Sequence, residues 1–382
     1  MTGFRFGVPQ RADAVPKERP SGYLADGMAS RIRESLSMRR TPRKPKTPRA
    51  WLYPFAQERA YFVQVRDMVR PFLRNYADEV LSRWARWETE WKNDGMRADS
   101  SVMENSELFD RFMDTQRAAF AGGEGRNFLA GIFGTASRVA EFNDKEWQKF
   151  VKVAVGQAFH PAEEWVGPML DDWAAENFNR VKTLSTAGIA RMNNTVSNAV
   201  QNGLGYRAVM RELRKTEDIS VKQAKLLARD QIGKLNGALN QRKQAEAGVD
   251  FYEWQTVGDE RVRGNPNGLY PTARPSHFAI DGKICKRDDA SVFAEPNAEG
   301  PLVWKPRTGV MPKAHPGEEI QCRCAAIPYM EPLFDELLKM EQEAAPVAEP
   351  APAKVRKPRA PRKPKEARHP MRPRPWKNYS RK

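Results

Sequence analysis

The chain has 382 residues, 40% of them hydrophobic, which suits folded cores with solvated extensions, and it has no run of about 18 apolar residues, so no membrane partner is expected. Three cysteines are too few for a disulfide framework, and the first twenty residues lack the apolar core of a secretory signal, so reduced thiols and a cytoplasmic origin are expected. The formal charge of +16 gathers at the ends, about +8 on residues 1–50 and about +11 on residues 346–382, with the body near −3.

Residues 1–50 predict a disordered basic arm. Proline recurs among lysine and arginine in Met38–Ala50, and such a stretch buries too little apolar surface to offset its ordering entropy. Arg39, Arg40, Arg43, Lys44 and Lys46 are candidate DNA contacts there, with a solubilising linker as the plainer alternative. Residues 51–219 predict an elongated helical body. Phe62, Val65, Val69, Phe72, Tyr76, Val80, Trp84, Trp87 and Trp91 recur every three or four residues along one helix face, so the tryptophans read as core rather than as a base-stacking platform. Pro71 is expected to kink or break that helix. Leu108, Phe109, Phe112, Met113 and Phe120 mark a second helix. Asn143 is expected to cap a third carrying Trp147, Phe150 and Val151, with His160 an ordinary residue at its end. A long helix from about Leu170 carries Val181, Ile189, Met192 and Val196 and stops at Gly203, and a short helix near Met210 and Leu213 follows.

Residues 220–331 predict a small α+β module. Ser220 is expected to cap a helix with Ala224, Ala228, Ile232, Leu235 and Leu239 on one stripe, ending at Gly248. The period then falls to two over Phe251 to Thr256, as in a strand, and further short strands are expected at Lys283 to Cys285, Leu302 to Trp304 and Ile320 to Tyr329. Residues 332–382 predict a short helix, Pro332 to Glu343, then a disordered Pro/Lys/Arg-rich tail. In that tail Arg356, Lys357, Arg359, Arg362, Lys363 and Lys365 are candidate phosphate contacts, and Trp376 and Tyr379 can stack on bases. The fold class is α+β, mainly α: a helical body, a small C-terminal α+β module and two basic arms.

The scarce residues collect between Thr256 and Cys324. On a strand, Cys322 and Cys324 would share one face, with Arg323 on the other and Cα atoms about 6.5 to 7 Å apart, at the edge of disulfide reach. With His315, and with His277 or Cys285, they would form a four-coordinate site for zinc. Buried structural cysteines beside hydrogen-bonded histidines are the alternative. Asp259, Glu260, Arg261 and Arg263 lie at a strand end and read as a charge-paired turn, and Gly282 follows Asp281 in a second turn. The loop Gly264 to Ala273, rich in turn formers, reads as a binding loop. No nucleophile elbow, Walker loop or HExxH spacing is present, so no enzyme is expected; the rival is a hydrolase in which His277, Asp281 and His315 work with a metal.

The motifs run in a fixed order: Gly248, then D-E-R-V-R from Asp259 to Arg263, P-S-H from Pro275 to His277, D-G-K from Asp281 to Lys283, H-P-G from His315 to Gly317, and C-R-C from Cys322 to Cys324. Over roughly residues 220–330 this order resembles the head-morphogenesis domain of tailed phages, the phage Mu F-like and SPP1 minor head protein family. Ala228, Arg229 and Asp230 stand where that family has Ala-Arg-Thr-Glu, and the Gly264 to Ala273 loop is an insertion into its pattern. The resemblance implies a minor head protein, present in a few copies inside the procapsid near the portal and acting in assembly, packaging or ejection. Its implied partners are the portal protein, the major capsid or scaffolding protein, and packaged double-stranded DNA met without sequence preference. The implied location is the virion head, reached from the host cytoplasm during assembly. A virion-associated metal-dependent nuclease or other enzyme is the alternative.

Overall fold

The computed structural model describes residues 50–93, 99–154, 163–296 and 302–330. The expectations for residues 1–49 and 332–382 lie outside the described residues, as does that for His160. Outside them, therefore, are all the candidate DNA contacts: Arg39, Arg40, Arg43, Lys44, Lys46, Arg356, Lys357, Arg359, Arg362, Lys363 and Lys365. The described residues form five helices followed by a five-stranded antiparallel sheet, an α+β fold that is mainly α.

Helix α1 (Phe55–Asn93) buries the predicted stripe, with Val65, Tyr76, Val80, Trp84 and Trp87 fully enclosed. The indole N–H groups of this stripe find acceptors: Trp84 Nε1 donates to Leu204 O at 3.1 Å, Trp87 Nε1 to Glu104 Oε2 at 3.0 Å and Trp91 Nε1 to Ser101 Oγ at 3.0 Å. Of the kink or break expected at Pro71, the break does not occur: the helix runs through it. Pro71 and Asp67, whose carbonyl loses its donor, are both exposed, so water can take the place of the missing N–H.

Helices α2 (Asp99–Ala121), α3 (Gly123–Ala154) and α4 (Val166–Gln201) complete the layer around α1. Asn143 is not a cap. It lies inside α3, fully buried, and its Nδ2 donates to Asn236 O at 3.3 Å and Asn236 Oδ1 at 3.2 Å on the fifth helix. Similar buried amides fix other contacts: Tyr61 Oη donates to Asn177 Oδ1 at 2.9 Å, and Asn177 Nδ2 to Gln231 Oε1 at 3.2 Å. Each such pair would leave an unsatisfied polar group if the helices slid, so these bonds specify register. Gly203, in the left-handed region at φ 59°, ends α4 as predicted, with Leu204 N returning to Ala199 O at 2.9 Å.

Helix α5 (Tyr206–Glu246) is one element, where the sequence suggested a short helix and then a helix capped by Ser220. Ser220 is buried, donates to Thr216 O at 3.1 Å and accepts from Arg191 at 3.0 Å, so its hydroxyl is satisfied inside the helix. The expected boundary between residues 219 and 220 therefore falls within α5, which packs on α1, α3, α4 and the last strand. Gly248, at φ 69°, ends it.

The sheet runs β4-β3-β2-β1-β5, with β1 Phe251–Gln255, β2 Ile284–Lys286, β3 Val292–Ala294, β4 Lys305–Pro306 and β5 Ala325–Tyr329. Of two expected strands, that at Leu302 to Trp304 is absent and that at Ile320 to Tyr329 is shorter than predicted. Residues 302–304 are irregular ahead of the two-residue β4, and residues 320–324 form a turn because Gln321 takes φ 58° and Cys322 N bonds Glu319 O at 3.0 Å. In β1 the buried Tyr252 and Trp254 look into a small core with Ile280, Phe293 and Met311, while Ile327 of β5 joins Trp147 and Phe150 of α3 on the other face. The outer edge of β5 is covered: Asn240 Nδ2 and Gln244 Nε2 of α5 donate to Ala326 O at 2.8 and 2.9 Å.

Glu217 of α5 takes guanidinium bonds from Arg70 and Arg74 of α1, the latter at 2.9 Å. Burial opposes its charge, but those bonds outweigh burial and hold its carboxyl below the usual range. A depressed carboxyl contributes stability above its unfolded value near 4.5 and loses it as pH falls through the folded value. Urea unfolding of Glu217→Gln at pH 7 is expected to show a loss of up to about 1 kcal/mol, modest because the arginines are solvent-exposed, and the difference from wild type should vanish towards pH 3.

Candidate functional site

The sheet core, the loops behind it and the flank of α5 bring the motif residues together. Gly233 and Gly237 lie four apart on α5, and the segment from Pro316 to Cys322 rests on them. A Cβ on Gly233 would stand 2.3 Å from Cys322 O, and one on Gly237 would stand 2.7 Å from Pro316 O and 2.9 Å from Gly317 Cα. Asp230, one turn earlier, accepts the N–H of Gln321 at 2.8 Å, which fixes the turn that precedes Cys322. Gly317, at φ 90°, makes the other bend of this loop in a conformation that favours glycine.

The loop and the P-S-H segment meet in a cluster of buried groups. His277 Nδ1 is 3.3 Å from Cys324 Sγ and 3.7 Å from Cys322 Sγ, and its Nε2 is 2.8 Å from Glu319 Oε2. Glu319 is also held by Arg263 Nη1 at 2.8 Å, and Gly317 N donates to Cys322 Sγ at 3.3 Å. The Trp254 ring stands edge-on to His277, 5.6 Å between centroids. Burial by itself would lower the His277 pKa, but hydrogen bonds to Cys322 and Glu319 raise it to about 9. The hydrogen bond from Cys324, helped by His277, holds Cys322 well below the ordinary thiol value. Cys322 and burial push Cys324 well above it.

His315 and Cys285 do not join that cluster. Among the described residues, the groups converging with metal-ligand geometry are His277, Cys322 and Cys324, their ligand atoms all within 4.8 Å of one another. His315 Nδ1 instead meets Tyr252 Oη at 2.8 Å, and burial lowers its pKa. Arg307 reaches the same Tyr252 hydroxyl at 3.5 Å and donates to the carbonyls of Pro312 and Ala314 at 2.7 and 2.9 Å. Cys285 is buried beside this second group, and burial raises its pKa. The five-residue ligand set expected from the sequence thus divides into two, and the two cysteines converge through a turn rather than along a strand.

The D-E-R-V-R cluster is a charge-paired turn, as its residue types predict. Asp259 Oδ1 accepts Arg261 N at 3.0 Å and its Oδ2 meets Arg323 at 2.6 Å, while Arg323 lies over the rings of Tyr53 and Phe55. Arg263 bonds Glu319 and Ile320 O, while Glu260 and Arg261 remain at the surface, 4.0 Å apart. Asp281 Oδ1 accepts Thr256 N at 2.7 Å, and Gly282, at φ 72°, turns the chain so that its N–H reaches Trp254 O at 2.7 Å. Three residues that shape this region escaped the sequence reading in that role: Tyr252, Arg307 and Glu319. Glu319 carried a readable cue, an acidic residue three before Cys322 in a histidine- and cysteine-bearing motif. Arg307 carried none.

Chemically, the order Cys322, His277, Glu319 is that of a thiol activated by an imidazole that a carboxylate orients. Exposure decides against ready access, since Cys322 and His277 are each 3% exposed. The same Nδ1-to-sulfur geometry suits a metal.

The packing on α5 has a direct test. Gly237→Val is expected to cost about 1–3 kcal/mol in denaturant unfolding, because backbone atoms rather than flexible side-chain ends stand in the way. Gly131→Ala, inside α3 where a Cβ would meet nothing outside the helix nearer than the end of the Gln64 side chain, 3.9 Å away, should stabilise by roughly 0.5–1 kcal/mol.

Residues 190–327, from within α4 into β5, match the family described as phage Mu protein F like protein. An uncharacterized protein of Haemophilus influenzae is 28% identical over 157 residues. That alignment covers 41% of this chain and 28% of the relative, so the chain spans under a third of that protein. No solved structure matches the chain. The stretch 190–327, which holds all of α5, most of the sheet and the buried histidine-cysteine cluster, is thus the part of this chain that is similar to the phage Mu protein F-like family.

Proposed function

We propose that this protein is a minor head protein of a tailed phage, acting in head morphogenesis at the portal and contacting packaged DNA without sequence preference. The observation that carries the reading is the family match over residues 190–327, in which every motif from Gly248 to Cys324 lies in one folded unit. Head interior as location, the portal protein and the major capsid or scaffolding protein as partners, and host cytoplasm as the place of synthesis all rest on that match. The burial of His277, Cys322 and Cys324 supports a structural rather than a catalytic role for the module. No helix among the described residues is long and apolar enough to cross a membrane.

The division of charge supports two kinds of contact. A body near −3 suits protein partners, and ends near +8 and +11 suit a polyanion. The inserted loop supports a protein contact of its own: Leu269 N bonds Glu260 O at 2.6 Å and Gly264 N bonds Tyr270 O at 2.9 Å, yet both side chains are more than half exposed. Apolar side chains on a loop held in shape offer contact area at little ordering cost.

The direct test is the amount of this protein in procapsids assembled with and without the portal protein. Recruitment should fall to background without portal; unchanged recruitment would overturn the placement. For DNA, replacing Arg356, Lys357, Arg359, Arg362, Lys363 and Lys365 together by glutamine should reduce the slope of log affinity against log salt by up to about 5, at about 0.9 per phosphate contact. An unaltered slope would remove the tail from the interface.

A further inference from the structure

We propose that His277 Nδ1, Cys322 Sγ and Cys324 Sγ bind one zinc ion, and that this ion clamps the P-S-H segment to the C-R-C loop. The inference is independent of the function proposed above.

Three observations carry it. The first is donor chemistry: two cysteine sulfurs and one imidazole nitrogen are a soft donor set suited to zinc. The second is spacing. Around a tetrahedral zinc with bonds near 2.3 Å to sulfur and 2.0–2.1 Å to nitrogen, sulfur and nitrogen lie about 3.6 Å apart. The two nitrogen-to-sulfur distances are 3.3 and 3.7 Å, and all three ligand atoms fall within 4.8 Å. The third is the surrounding support. Glu319 bonds His277 Nε2, which orients the ring and turns the Nδ1 lone pair towards the sulfurs, and Arg263 holds Glu319 in turn. Gly317 N–H is directed at Cys322 Sγ, a bond that favours a thiolate there.

The position of the cluster says what the ion would do. The ligands come from segments 45 residues apart in sequence, and between them run the turn at Gly282, strands β2 to β4 and the H-P-G bend. These strands are two or three residues long, too short to hold a shape by pairing alone. A metal cross-link closing that stretch supplies the missing constraint. Among the described residues, no fourth histidine, cysteine or carboxylate converges with the three.

The test uses the full chain, purified under reducing conditions without chelator. Bound metal is measured by elemental analysis, and cobalt(II) then replaces zinc so that thiolate-to-cobalt absorption reports sulfur ligation directly. One ion per chain and a tetrahedral two-thiolate cobalt spectrum are expected. Cys322→Ser and Cys324→Ser should each abolish stoichiometric binding, whereas Cys285→Ser and His315→Ala should retain one ion per chain. Glu319→Gln should keep the stoichiometry at saturating metal but weaken affinity by about 10- to 100-fold. Circular dichroism of the serine variants separates lost ligands from lost fold, and the wild-type cobalt spectrum does not depend on them. A wild-type protein with neither stoichiometric zinc nor a cobalt-thiolate spectrum would overturn the proposal, leaving a hydrogen-bonded thiol cluster. So would binding that survives both serine variants.

Discussion

The packing of the loop from Pro316 to Cys322 against the bare backbone of α5 is the contact on which the rest of the module depends. It exists because positions 233 and 237 are glycines on one helix face, so carbonyls and a Cα of the loop approach where side chains would otherwise stand. That approach sets where Cys322 and Cys324 begin, and their position in turn decides which histidine they meet. Asp230 and Gln241, on the same helix, add bonds to Gln321 N and Pro316 O, so the loop is held at both ends as well as along its length. A helix whose other faces pack on α1, α3 and α4 thereby carries the geometry of the buried cluster.

This arrangement ties the small sheet to the helices in a way its size requires. With strands of two to five residues, the sheet has little pairing energy of its own, and its core is a small group of side chains around Trp254. Helix α5 also covers the edge of β5, and Trp51, in the segment before α1, pairs in both directions with the Gln255 side chain at 2.8 and 3.1 Å. The segment before α1 thus closes on the end of β1 across more than 200 residues of sequence. The helices contribute a scaffold and the motif loops contribute shape, with arginines such as Arg307 and Arg323 satisfying carbonyls and carboxylates that short strands leave free.

What was legible in the sequence followed from periodicity and from glycine. The stripe from Val65 to Trp87 is readable because a 3.6-residue repeat has no other simple interpretation, and Gly203 and Gly248 mark helix ends because each takes a left-handed conformation there. Pro71 did not break its helix, and Asn143 and Ser220 misled, for one shared reason. Each is a local breaker or cap by type, and each is overruled by its surroundings: solvent beside Pro71, Asn236 opposite Asn143, Thr216 and Arg191 around Ser220. The histidine and cysteine motifs pointed to the correct region, but not to the pairing within it. Which histidine faces the thiols depends on the turn at Gln321, a positive-φ residue that is not glycine, and on contacts from α5 some 90 residues away, neither of which has a sequence signature. The buried roles of Tyr252, Arg307 and Glu319 were hidden because they arise from tertiary contacts alone.

The central claim is that helical scaffold and motif module form one cooperative unit built on α5, and native-state hydrogen exchange measures this most directly. The account predicts that the slowest amides of α5 and of strands β1 and β5 exchange with the same opening free energy and the same denaturant dependence. Opening of β1 and β5 several kcal/mol below α5, with its own smaller denaturant dependence, would contradict it and make the module a separately folding attachment.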